Sequence, residues 1–222
     1  MKNKTRASGQ LIRAIDPYLP PSFRENTNLS LEDLIRARVL VAIMLSAAVS
    51  VVFSIIVMAI SDKASGSDFS NPLMMAAVSG VVIAFDYVFF YKSGRLDAAA
   101  ILFSLSLFLA TVISVILTGG FDSPVRIMLI CTPVIAFLVG GRQEGMYNAA
   151  LSYVVGIVLL ILRVYDFPMM QVMPDNVLPY IAGITWLLAI LVIVVCLYVY
   201  DVLLEDTRDT VADISHVNEA SH

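Results

Sequence analysis

Residues 39–60 read VLVAIMLSAAVSVVFSIIVMAI, twenty-two positions without one charged side chain. A bilayer core about 30 Å thick takes about 20 mostly apolar residues in helical form, and a chain inside it has to satisfy its own backbone hydrogen bonds. The stretch therefore reads as a transmembrane helix. Working outward from it, five more apolar runs follow at 72–91, 98–117, 124–140, 146–162 and 177–200. The two runs of 17 are at the short limit, but turn chemistry bounds each of them. The whole chain agrees: of 222 residues 59% are hydrophobic and 14% charged, with a mean hydropathy of +0.86, against roughly 25% charged in soluble domains. An ordinary soluble enzyme is excluded, as is a disordered or collagenous chain. The expected fold class is an all-α membrane protein with six transmembrane helices.

Even span number puts both termini on one side, and Lys and Arg near the helix ends say which. Lys2, Lys4, Arg6, Arg13, Arg24, Arg36, Arg38, Lys92, Arg95, Arg142 and Arg208 fall on one side, and only Lys63, Arg126 and Arg163 on the other. Eleven against three predicts N- and C-termini in the cytoplasm and a multi-pass membrane protein, and the resemblance described below makes the expected membrane the bacterial inner membrane. The basic start has no apolar core directly after it, so it does not read as a cleaved signal peptide. Three parts are expected: a cytoplasmic segment 1–30 with a short amphipathic piece (Leu11, Ile12, Ile15) broken by Pro17, Pro20 and Pro21 and lying on the membrane surface; a six-helix domain 31–200; and a cytoplasmic exit helix 201–222. Ser30-Leu31-Glu32-Asp33 has the pattern of a capping box, which starts the first helix near Leu31. The external loops, about 61–71, 118–123 and 163–176, are too short for a folded domain, which takes about 50 residues or more.

Few side chains in the spans carry chemistry. Asp86 reads either as a carboxylate reached by headgroup water or as a polar switch, since intramembrane acids tend to be functional. Arg126 follows Asp122 by four residues, the spacing of a local helical ion pair. Thr118-Gly119-Gly120-Phe121-Asp122-Ser123-Pro124 is a turn whose glycines allow tight reversal, whose Ser123 or Asp122 caps, and whose Pro124 fits a first helical turn. Pro133 predicts a bend in the fourth span. Small residues recur every four positions at Ala42, Ser46, Ser50 and Ser54 and at Ala76, Gly80 and Ala84, a spacing that lets helix backbones approach in lipid. A ligand site is expected between the third and sixth spans near the outer half, where Thr111, Ser114, Arg126, Thr185 and Trp186 supply polar handles. Met169, Met170 and Met173 are soft donors, but with no His or Cys beside them outside the membrane they read as adaptable apolar filler. Cys131 and Cys196 read as packing residues. No metal, cofactor or nucleic acid is expected.

Catalysis finds no constellation. A serine or cysteine nucleophile needs a base within reach, and the two histidines, His216 and His222, lie in the tail. An aspartyl pair would need a second acid in the spans, and no phosphate-cradling loop occurs. The tail is more informative. Leu197, Tyr200, Leu204, Thr207, Val211, Ile214, Asn218 and Ser221 follow the alternating three-and-four spacing of a heptad seam, so the last span predicts a coiled-coil exit helix and a homodimer. Leu204, Thr207, Val211, Ile214 and Asn218 are then the signal-transmitting positions.

Leu34-Ile35-Arg36-Ala37-Arg38-Val39-Leu40-Val41 at the first membrane entry, the turn 118–124, and Pro133 followed by Gly140-Gly141-Arg142 resemble the six-span N-terminal input region of bacterial sensor histidine kinases, often hybrid ones. Val217-Asn218-Glu219-Ala220-Ser221-His222 is similar to the linker before their dimerisation and phosphoacceptor helix. The resemblance implies a constitutive dimer that senses a small lipophilic or membrane-derived signal, such as an α-hydroxyketone or a fatty acid, and controls a kinase domain fused after residue 222. The phosphoacceptor motif and ATP-binding domain are absent from the chain, and His216 and His222 do not match that motif. The chain itself is therefore expected not to be an enzyme. Six-span input regions of adenylate or diguanylate cyclases share the architecture. A small oligomeric transporter or channel and a purely structural membrane scaffold are the readings from other classes.

Overall fold

The computed structural model describes residues 13–25, 30–65, 70–169, 177–187, 189–191, 193–194 and 197–198. Long helices dominate it: α1 (Leu31–Ser65), α2 (Ser70–Ser93), α3 (Leu96–Leu117), α4 (Met128–Val164) and a shorter apolar α5 (Leu178–Leu191). The chain is thus an all-α, multi-span bundle, in which four stretches are long and apolar enough to cross a membrane: Glu32–Ile60, Ser70–Ser93, Leu96–Leu117 and Pro124–Val164. Residues 201–222, with the heptad positions Leu204 to Asn218, lie outside the described residues, as do Met170, Met173 and Cys196.

Each helix boundary has a local cause. α1 begins at a cap in which Ser30 Oγ accepts the Asp33 N–H at 3.1 Å and donates to the Asp33 carboxylate at 2.6 Å, satisfying one of the orphan donors of a helix start. Between α3 and the start of α4, Gly119 (φ 111°) and Gly120 (φ 64°) take the left-handed backbone that the reversal needs. Ser123 then accepts the Val125 N–H at 3.1 Å while bonding Thr118 Oγ1. Pro133 removes the donor for the Leu129 carbonyl, which Thr132 Oγ1 fills at 3.3 Å.

Gly141 governs the fourth stretch. A straight helix of 41 residues would be about 60 Å long, twice a bilayer core. Instead Gly141 holds φ 82° and ψ −169°, a combination open essentially to glycine alone, and the chain doubles back. Thr132 Oγ1 and Ser152 Oγ come within 3.4 Å although 20 positions separate them, and Leu129 shares an apolar cluster with Leu159. α4 is therefore two antiparallel arms.

The basic end of the bundle, marked by Arg36, Arg38 and Lys92, is closed by the N-terminal segment. Pro17, Pro20 and Pro21 fold it into a three-residue turn (Asp16–Tyr18) and a short helix (Pro21–Glu25). Ile15, Leu19 and Phe23 are buried against Leu40, Phe90, Ala99 and Phe103. Arg38 grips Asp16 at 2.9 Å, Tyr87 donates to the Tyr18 carbonyl at 3.1 Å, and Arg36 pairs with Asp97 at 3.0 Å. The amphipathic piece expected on the membrane surface is, over its described part, a strap across α1, α2 and α3. Its apolar face finds protein rather than lipid, because the prolines turn it back over the helix ends.

The strap and the reversal give separate expectations. Leu19 is 1% exposed, so Leu19→Ala should weaken strap docking by about 2–5 kcal/mol and accelerate tryptic cleavage after Arg24. An unchanged cleavage rate would show that these contacts do not hold the segment. At Gly141 an added Cβ meets no atom within 4 Å, so the cost of Gly141→Ala is backbone strain alone, about 1–3 kcal/mol. Gly156→Ala, equally unobstructed but within a regular helix, should be neutral or stabilising by up to about 1 kcal/mol. Thermal unfolding of both variants in detergent checks the contrast.

Candidate ligand cavity within the membrane domain

Packing in the bundle is uneven. One apolar cluster fills the basic end around Leu40, Met44, Phe90 and Phe103. Two smaller ones lie toward the far end, Met58 with Val177 and Ile181, and Phe108 with Val115, Leu129 and Leu159. Between them is a cavity of about 250 Å³, just below the roughly 300–1,000 Å³ of drug-sized ligand sites and therefore sized for one small molecule. α1 contributes Ser46, Ser50, Val51, Ser54 and Met58 to its wall, α2 contributes Met75, Ala76, Ser79 and Ile83, and α3 contributes Phe103, Ser106, Ala110, Thr111 and Ser114. Val125, Met128 and Ile135 line its side, and Ile181, Ile184 and Thr185 bring α5 into the same wall.

Most wall hydroxyls are tied to their own helices. Ser46 donates to the Ile43 carbonyl at 2.9 Å, Ser54 to Ser50 at 2.8 Å, Ser79 to Met75 at 2.9 Å, Thr111 to Leu107 at 2.8 Å and Thr118 to Ser114 at 2.6 Å. Such back-bonding is how hydroxyls are tolerated in an apolar helix. Ser50 departs from it: the residue is 6% exposed and its Oγ has no partner among the described residues.

Asp86 stands behind this wall. It is 1% exposed, which places it away from headgroup water, and Oδ1 accepts from Ser106 Oγ at 3.4 Å while Oδ2 has no partner among the described residues. Ser106 thus has one face on the cavity and its hydroxyl on the buried carboxyl.

The structure sorts the candidate residues. Thr111, Ser114 and Thr185 line the cavity, whereas Arg126 and Trp186 do not. Trp186 is 54% exposed on the outer face of α5. Arg126 bonds the Phe121 carbonyl and lies 4.9 Å over the Phe121 ring. It does not take Asp122, which pairs with Arg163 at 3.0 Å, because residues 124–127 form a 3₁₀ turn and the four-residue α-helical spacing does not apply across it. Ser46, Ser50, Ser54 and Ala76, expected as packing stripes, share the cavity wall. Of the expected α2 stripe, Gly80 approaches α1 closely, an added Cβ lying 3.3 Å from Val51 Cγ1, while Ala84 faces outward. The first two spans border the cavity as well, a part of the site that sequence reasoning did not reach. Its signal was the repeated serine on α1, which is too small to fill the space that it faces.

A smaller recess of about 160 Å³ at the far end is bounded by Gly119, Asp122, Arg163, Asp166 and Met169. Its charges pair with one another at the exposed surface, where such pairs contribute about 0–1 kcal/mol. No cluster of metal-ligating side chains occurs among the described residues. Comparison with protein-family models, with curated proteins and with solved structures finds no match to this chain.

A buried carboxyl with one weak donor is a structural liability. Asp86→Asn keeps its shape and adds a donor where, among the described residues, no cation faces the carboxyl, so it should raise the unfolding midpoint, by about 1–3 kcal/mol in stability. A lowered midpoint would reveal a cation that holds Asp86.

Proposed function

We propose that this chain is a membrane-embedded receptor module. It takes up a small lipophilic or membrane-derived signal in the central cavity and transmits its occupancy through the last transmembrane helix. The observation that carries the reading is that α5 supplies Ile181, Ile184 and Thr185 to the cavity wall, so a molecule there bears on the helix whose continuation has the heptad pattern. In this reading the two arms of α4 are separate passes, 13 and 23 residues long on either side of Gly141, the second about 34 Å in length. With α1, α2, α3 and α5 they make six passes, and the basic end faces the cytoplasm of a bacterial inner membrane.

The resemblance stated above supports a histidine kinase as the output, in a homodimer whose exit helices pair through Leu204, Thr207, Val211, Ile214 and Asn218. The cavity supports a receptor over a transporter, since it is apolar apart from hydroxyls and Asp86 and Arg126 do not form a path through it. The chain itself is proposed to be non-catalytic.

Single cysteines at 200–221, in native membranes and with Cys131 and Cys196 replaced, test the transmission step. Cross-linking should peak at 204, 207, 211, 214 and 218, and a cavity-filling Ala110→Phe should change the relative yields along the series. A flat profile would sink the paired exit helix and favour the transporter. Accessibility of a cysteine at 142 only from the cytoplasmic side, against one at 121 only from outside, tests the six passes.

A further inference from the structure

The cavity and the N-terminal strap meet at one layer of side chains, and the regulation inferred from that contact rests on the reading of the cavity as a receptor site. α1 and α3 start at the basic end, and the wall residues nearest to it are Ile43 on α1, Phe103 on α3 and Ile135 on the first arm of α4. All three are buried members of the apolar cluster that also takes in Ile15, Leu19 and Phe23 of the strap. The floor of the cavity at that end is therefore the roof of the cluster on which the strap docks. α2 enters the same cluster through Phe90, whose ring lies 5.7 Å from that of Phe23, and through Tyr87, which donates to the Tyr18 carbonyl.

Docking of the strap is a local event. Its helical pieces are three and five residues long, too short to persist alone, so the segment is ordered by what it touches. The hold rests on three buried apolar side chains, the Arg38–Asp16 pair, and single hydrogen bonds at Tyr18 and Arg24. Against it stands the conformational entropy of the thirteen residues 13–25, which places the strap among the parts of a fold that open before the rest. The ion pair fixes its position most narrowly. Arg38 Nε and Nη2 take the two Asp16 oxygens at 2.9 and 3.3 Å with 13% of the arginine side chain exposed, and reversing either charge sets two like charges face to face.

We propose that the strap is a removable seal on the cavity. Docked, it closes the site toward the aqueous phase at the basic end; released, it leaves Ile43, Phe103 and Ile135 without backing, so that water and polar solutes reach the wall. The Arg38–Asp16 pair is its latch. Access to the site is then set by the state of the N-terminal segment as well as by the ligand.

The test uses the full chain in phosphatidylcholine nanodiscs, where both aqueous faces meet the reagent, with Cys131 and Cys196 replaced. Ser46→Cys puts a thiol on the wall one turn from Ile43, and a separate Val115→Cys chain puts one in the buried cluster at the far end. The probe is a charged, membrane-impermeant methanethiosulfonate. With the strap intact both thiols should react slowly. Asp16→Arg should speed the reaction at position 46 at least about tenfold, Leu19→Asp at least as much, and Asp16→Arg combined with Arg38→Asp should bring it back to within about threefold of the parent, position 115 staying slow throughout. Fast reaction at 46 with the strap intact, or slow reaction in both Asp16→Arg and Leu19→Asp, overturns the seal. Parallel acceleration at 115 overturns it as well, since the strap is then a structural part of the bundle and not a removable one, and failure of the exchanged pair to restore protection overturns the latch. Labelling reads access whether or not a ligand binds. Strap-dependent labelling beside a flat cross-linking profile of the tail therefore removes the receptor reading and leaves the seal, and the opposite pair of results removes the seal alone.

Discussion

A backbone in hydrocarbon has nothing but itself to hydrogen-bond with, and most features of this molecule follow from that constraint. Five wall hydroxyls return to carbonyls of their own helix, and the Leu129 carbonyl stripped by Pro133 is met by Thr132. Breaks in helical geometry are confined to positions such as Gly119–Gly120 and Gly141, at helix ends where polar groups can reach water or a cap. Because satisfaction is so nearly complete, the exceptions stand out. Among the described residues Arg36, Ser50, Asp86 and Asn148 each keep a buried polar atom without a partner, and two of the four are at the cavity or directly behind its wall.

That cavity is a consequence of side-chain size. In lipid there is little gain from moving an apolar side chain between solvent and core, so helix contact depends on close van der Waals fit. Where α2 has Gly80 the helices meet through Val51. Where α1 presents Ser46, Ser50 and Ser54 toward Ala110 and Thr111, the side chains are too short to close the gap that larger neighbours such as Phe103 and Met58 hold open. The strap stiffens the opposite end, where Arg38–Asp16 and the buried Leu19 and Phe23 tie α1 to α2 and α3.

How much of this was legible in the sequence depended on which physical signal each feature leaves. Uncharged runs announce helices of membrane length, and Gly140-Gly141-Arg142 between two such runs announced the reversal. Which face of each helix points inward left little trace, because in apolar spans every face has similar composition; residues chosen for their polarity therefore divide, Thr111, Ser114 and Thr185 lining the cavity and Arg126 and Trp186 lying off it. The Arg126–Asp122 expectation assumed α-helical spacing across Pro124, which the 3₁₀ turn denies. Asp86 looked close to water when counted from the end of its apolar run. The helix continues to Ser93, and the strap covers neighbouring Tyr87 and Phe90, so depth along the sequence understated depth in the fold.

The same arrangement decides what an occupied cavity can move. α1, α2 and α3 are tied together at the basic end by the strap, so a molecule pressing on them works against a closed cluster of buried side chains. α5 buries one row, Val177, Ile181, Thr185 and Ala189, and exposes the large apolar residues Trp186, Leu187 and Ile190 of its other faces. Val177 and Ile181 pack on Met58 with Leu178 and Ile184 beside them, and Ile181, Ile184 and Thr185 of the same face line the cavity. A molecule in the cavity therefore bears on the buried face of α5. A ligand biases that helix between two positions only by the difference between its affinities for them. In the receptor reading proposed above, the residues that tune response are those touching both ligand and α5, and a tight binder that fits both positions equally shifts nothing.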